Sequence, residues 1–173
     1  MRIYLARHGD ATGPEENPRR PLSAKGRAEV ERMASFLARS GVRPRRVIHS
    51  GKLRAGETAA ILARVLVPGV MLEESENLGP EDSPERLVAS AGNWVKAAME
   101  KRGREKSKAA ANDVLVVGHM PFMAQAVAAF VGAKGATEFA DFATGAVACL
   151  DSEDGQGERW RLLWLVAPGL LGG

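Results

Sequence analysis

Histidine is scarce in this chain, three residues in 173, and its placement is uneven. Ile3-Tyr4-Leu5-Ala6 leads into Arg7-His8-Gly9; Arg46-Val47-Ile48-His49 leads into Ser50-Gly51-Lys52-Leu53-Arg54; Val114-Leu115-Val116-Val117 leads into Gly118-His119. Each histidine or arginine of interest therefore stands where a short apolar run ends. Arginine carries a planar fork of N–H donors and keeps its charge at any working pH. A neutral imidazole adds either a nucleophilic lone pair or one further donor. Guanidinium and imidazole groups gathered in this way suit an oxyanion, so an anion site is the chemistry these residues suggest.

For the groups to meet, the apolar runs must be neighbouring strands. Ile3–Ala6 reads as a buried first strand, Arg46–His49 as a second and Val70–Leu72 as a third. Val114–Val117 is the clearest buried strand of the chain. Between them lie helical patterns. Ser23 is placed to cap a helix whose apolar stripe is Val30, Met33, Ala34 and Leu37, and Gly41 is placed to stop it. Arg54 to Leu66 shows a second stripe, Ala55, Ala59, Leu62 and Leu66. Ser83 and Pro84 open a helix running to about Met99, and Phe122 to Val131 forms another. Ala146–Leu150 and Arg161–Val166, with a short polar connection, read as a closing hairpin. Alternating strands and helices predict a three-layer α/β/α sandwich, with a mainly parallel sheet that includes an antiparallel strand. In such sheets ligands collect at the carboxyl ends of the strands, where the arginines and histidines fall. No repeat or linker is visible, so residues 1–173 are expected to form a single domain, with 101–112 a basic surface loop and 168–173 a loose tail.

Leu5-Ala6-Arg7-His8-Gly9 resembles the Arg-His-Gly signature of the histidine phosphatase superfamily, whose fold is phosphoglycerate-mutase-like. Ser50-Gly51-Lys52-Leu53-Arg54-Ala55-Gly56-Glu57-Thr58-Ala59 is similar to its second motif, with Gly51 where proline is usual. Val117-Gly118-His119-Met120-Pro121 resembles the third. Arg7-His8-Gly9-Asp10-Ala11, Arg20-Pro21-Leu22-Ser23-Ala24-Lys25-Gly26 and Leu78-Gly79-Pro80 are similar to the SixA-type phosphohistidine phosphatase branch. The resemblance implies a phosphatase that works through a phosphohistidine enzyme intermediate, without metal or other cofactor.

On that reading His8 is the nucleophile, since a neutral imidazole can attack phosphorus in line and divide hydrolysis into two easier steps. Positive charge nearby keeps the ring neutral. Arg7 and Arg54 match phosphoryl oxygens bidentately, His119 donates to an equatorial oxygen, and the resemblance puts a substrate-contacting arginine at Arg20. One departure is informative. Mutases and ester phosphatases of the superfamily usually carry a glutamate two residues after a leucine in the loop following the third strand; here Leu78 is followed by Gly79 and Pro80. An alkyl ester needs its leaving oxygen protonated. A phosphorylated imidazole can be protonated on its own ring near pH 6 to 7, given a reference value of ~6.5, and can leave neutral. The gap favours phosphohistidine in a protein as substrate. A small-molecule phosphomonoesterase with Glu81 or Asp82 as acid is the alternative. A non-catalytic phosphate-binding protein is a third, disfavoured because such a site needs no nucleophile at His8.

Composition removes other classes. The hydrophobic content is 45% and the net charge only +3, which excludes wholesale disorder. No apolar run approaches the ~20 residues that span a bilayer, and the apolar run at the N-terminus is too short for a signal-peptide core, so a cytoplasmic protein without membrane association is expected. The basic run Lys101–Lys108 has no interleaved aromatics on which bases could stack, so no nucleic-acid partner is expected. His49 and the three tryptophans, Trp94, Trp160 and Trp164, read as structural. Cys149, the one cysteine, reads as an inert core residue, which leaves neither a disulfide nor a thiolate metal cluster.

Overall fold

Six strands and four α-helices follow one another in the computed structural model, which describes residues 1–105, 112–133, 141–154 and 156–172. In chain order they are β1 (Arg2–Arg7), α1 (Ala24–Arg39), β2 (Arg46–His49), α2 (Leu53–Leu66), β3 (Leu72–Glu74), α3 (Pro84–Glu105), β4 (Val114–Gly118), α4 (Phe122–Val131), β5 (Val147–Ser152) and β6 (Trp160–Val166). A short 3-10 helix, Pro168–Leu171, ends the series. The sheet order is β3-β2-β4-β1-β5-β6. β3, β2, β4 and β1 are parallel, while β5 runs antiparallel to both β1 and β6. The expected three-layer sandwich, parallel with an antiparallel strand, is the fold observed.

The two-residue period of each strand divides the core. Ile3, Leu5, Ile48, Val114 and Val116 face α3 and α4, together with Ala148 and Leu150. Tyr4, Ala6, Val47, Leu115 and Val117 face α1 and α2, together with Val147 and Cys149. Because β1 and β4 are covered on both faces, their sequences are continuous apolar runs and not alternating ones. α1 buries Val30, Met33, Ala34 and Leu37 on the predicted stripe; Ser23 Oγ accepts from Gly26 N at 2.9 Å, and Gly41 follows with φ +77°. No helix among the described residues is long and apolar enough to cross a membrane.

Three expectations need correction. β3 lies at Leu72–Glu74, not Val70–Leu72, and Met71 is 84% exposed. Register with β2 decides this, pairing Val47 with Leu72 and His49 with Glu74, while Arg46 grips the Glu73 carboxylate at 2.8 and 2.5 Å. α3 does not stop near Met99: it continues through Glu105, into the stretch expected to be a surface loop from 101 to 112. Lysine, arginine and glutamate are good helix formers, and the polar content of this run misleads. Residues 106–111 of that stretch lie outside the described residues. The tail expected to be loose from 168 to 173 holds the 3-10 helix, with Pro168 buried and Leu171 against the α1–α2 core; residue 173 lies outside the described residues.

Candidate active site

Strand register brings the motif residues together. Arg7 pairs with Gly118 across β1 and β4, and His49 pairs with Val117 across β2 and β4. One step further along each strand, His8 N donates to Gly118 O at 3.0 Å and Ser50 N donates to Val117 O at 3.2 Å. His8, Ser50 and His119 therefore leave the same edge of the sheet on adjacent strands. The His8 and His119 rings stand 5.0 Å apart between centroids, tilted by 56°.

The geometry settles the tautomer of His8. Its Nδ1 lies 2.7 Å from Gly9 O, and a carbonyl can only accept, so Nδ1 carries the proton. Nε2 is then the lone-pair nitrogen, and it accepts from Arg54 Nε at 3.1 Å. Burial, opposed by the Gly9 carbonyl and aided by the charges of Arg54, Arg7 and Arg20, pushes the His8 pKa down to about 4. His119 goes further, to about 3, through burial first and then His8, Arg54, Lys52 and Arg20. Both rings are neutral at neutral pH. Ser50 Oγ lies 2.5 Å from His119 Nε2.

Arg54 reaches His8 from the first turn of α2. Arg7, the last residue of β1, donates from Nη1 to Phe142 O at 2.6 Å. Burial lowers the pKa of both guanidinium groups, and Arg20 adds to the effect on Arg54; neither loses its charge in any working range. Arg20 is not bound to either histidine: its Nε donates to Thr12 O at 3.3 Å, and its backbone sits at φ +50°, a left-handed conformation that costs a non-glycine residue about 1–2 kcal/mol. Its charge still acts on His8, Arg54 and His119. His49 turns Nδ1 back to Ser50 O at 2.7 Å and bonds neither His8 nor His119.

Motif residues to which sequence reasoning gave no role hold this arrangement. Thr58 Oγ1 accepts from Gly9 N at 3.0 Å and donates to Arg54 O at 2.7 Å, tying the loop after β1 to α2. Glu57 accepts from Leu22 N at 2.6 Å and from Arg27 Nη2 at 3.0 Å, anchoring the end of the segment that carries Arg20. A second-motif sequence of Glu-Thr after arginine was the available signal. In the loop before α3, Leu78 is buried and its carbonyl lies close to Gly118, beside His119. Asp82 Oδ2 accepts from Gly79 N at 2.6 Å, which commits one of its oxygens to its own loop, whereas Glu81 is exposed.

An α/β sheet with imidazole and guanidinium groups at the carboxyl edge of its parallel strands has the donors and the position that suit an oxyanion. Residues 3–79 match the family model of the histidine phosphatase superfamily (branch 1). The whole chain superposes on the protein histidine phosphatase SixA, solved complexed with tungstate, at a TM-score of 0.81 and 26% identity, covering 99% of this chain and 100% of that one. A protein of Agrobacterium tumefaciens assigned as phosphohistidine phosphatase SixA shares the fold at a TM-score of 0.70 and 24% identity, covering 96% of this chain and 97% of that one. An uncharacterized protein of Picosynechococcus sp. is 29% identical over 124 residues, 70% of this chain and 67% of that protein. The family match over residues 3–79 and the superposition on SixA together support a phosphatase of the histidine phosphatase superfamily, similar to the SixA-type branch.

Proposed function

We propose that this phosphatase removes phosphoryl groups from phosphohistidine in a protein, through a phosphohistidine intermediate on its own His8. The observation that carries the reading is the Gly9 carbonyl at 2.7 Å from His8 Nδ1, which leaves the lone pair on Nε2, the nucleophile once Arg54 Nε turns from it to the phosphoryl oxygens. Nε2 attacks phosphorus in line as the bond to the substrate imidazole breaks; that imidazole, already protonated on its other ring nitrogen, keeps the electron pair of the broken bond and departs neutral. Water then attacks the phosphoryl group on His8, releasing phosphate and restoring the Nε2 lone pair. Arg7, Arg54 and His119 meet the charge on the equatorial oxygens, and Arg20 contributes to the field around the incoming anion. Since these side chains supply the positive charge, turnover is expected to persist in chelator.

Pro80 at the usual acid position, and Asp82 held by Gly79 N, support the choice of a substrate whose leaving group brings its own proton. The test compares kcat/KM for a phosphohistidine protein with a panel of alkyl phosphomonoesters under one set of conditions. The phosphohistidine substrate should exceed the esters by at least tenfold, since general acid catalysis is worth ~10²–10⁴-fold where it is used. Comparable rates, together with a ~10²-fold loss of ester hydrolysis in Glu81→Gln or Asp82→Asn, would replace this reading with a small-molecule phosphomonoesterase.

A further inference from the structure

Ser50 is 3% exposed and fixed at the end of β2, its backbone N–H on Val117 O and its carbonyl accepting from His49 Nδ1. Among the described residues its hydroxyl has one hydrogen-bond partner, His119 Nε2 at 2.5 Å. His119 is 2% exposed, and its other ring nitrogen, Nδ1, is buried without a hydrogen-bond partner among the described residues. Arg7 Nε, on the neighbouring strand, is likewise buried without a partner among the described residues, and a guanidinium nitrogen can only donate.

A neutral His119 has one ring proton and two ways to share it with Ser50. If Nε2–H donated to Ser50 Oγ, the hydroxyl proton would have no acceptor among the described residues and Nδ1 would present a buried lone pair. If Ser50 O–H donates to Nε2, the hydroxyl is used and the remaining unsatisfied group is a donor, Nδ1–H. A bound oxyanion satisfies a donor and is repelled by a lone pair, and Arg7 Nε demands an acceptor too. We propose that Ser50 is a positioning residue that fixes the His119 tautomer, donating to Nε2 so that the Nδ1 proton is offered to a phosphoryl oxygen. This rests on the reading that a phosphoryl group occupies the site. The two histidines then present opposite faces: the Gly9 carbonyl takes the proton of His8 and exposes a lone pair, whereas the Ser50 hydroxyl takes the lone pair of His119 and exposes a proton.

Long-range 1H–15N correlation of the histidine rings in the full chain at neutral pH reads the tautomers directly, with His119→Asn assigning the signal. The expected result is His119 protonated on Nδ1 and unprotonated on Nε2. Ser50→Ala should populate the Nε2–H form and weaken tungstate binding about tenfold or more, the scale of one hydrogen bond to a charged group; Ser50→Thr, which keeps the hydroxyl, should restore both. A parent protein with Nε2 protonated overturns the proposal, as does Ser50→Ala with unchanged tautomer and tungstate affinity; the parent spectrum decides even if Ser50→Ala fails to fold. Labelling of His8 by substrate, measured in parallel, separates the two readings. Absence of label with the Nδ1–H tautomer present strikes the phosphatase mechanism and leaves the serine arrangement standing, while label with the opposite tautomer does the reverse.

Discussion

His8 is held by one donated proton, to Gly9 O, and one accepted proton, from Arg54 Nε, and two measurements follow from that. Quenching turnover with labelled substrate in alkali should trap an acid-labile label on His8, and His8→Ala should abolish it; a variant that still turned over at a tenth of the parent rate would remove His8 from the mechanism. The second concerns pH. In the unfolded chain the ring takes up its proton near ~6.5, whereas the folded ring does so only near about 4. Between those values the unfolded state binds more protons, so stability falls as pH falls through that window. His119 is displaced in the same direction. The urea midpoint should therefore drop between pH 7 and 4.5, and His8→Asn, which cannot titrate, should make the drop shallower. Residue types gathered arginines and histidines at the strand ends, His49 among them, and the motif resemblance narrowed them to His8, Arg7, Arg54 and His119. They did not mark Ser50 or Thr58, since a serine or threonine hydroxyl acquires its meaning only from the atom it faces.

At the scale of elements, the loop after β1 depends on α2. Thr58 is buried and supplies the acceptor for Gly9 N. Thr58→Val keeps the shape and deletes that acceptor, leaving a buried N–H unsatisfied at a cost of ~1–3 kcal/mol. Because Gly9 also carries the carbonyl that orients His8, kcat should fall along with the melting temperature; a stability loss with unchanged kcat would mean the loop holds itself. Helices and strands with a full apolar period were readable in advance: β2 and α4 fall where the pattern places them. β3 was not, because an edge strand of three residues is positioned by its partner's register and by the Arg46–Glu73 pair, not by its own propensity. The length of α3 was missed for the opposite reason, its last turns being rich in lysine, arginine and glutamate, which favour helix without an apolar period to announce it.

At the scale of the molecule, the sheet does not follow chain order. β1 and β2 are separated by β4, which pairs with both. A fragment ending at residue 113 contains β1, β2 and β3 but nothing to join the first two, so the amides of β1 should exchange with solvent at nearly unprotected rates, while those in the full chain should be among the slowest. Protection of β1 in the fragment would show that the N-terminal part folds by itself. During synthesis at ~5–20 residues per second, more than a hundred residues are made before the strand that closes the sheet, and for several seconds the nascent chain carries β1 and β2 with unpaired edges and nothing to join them. That interval exposes the chain to chaperones and to edge-to-edge association, and it also delays the site, because His119 follows β4 and an incomplete copy lacks one half of the histidine pair until then.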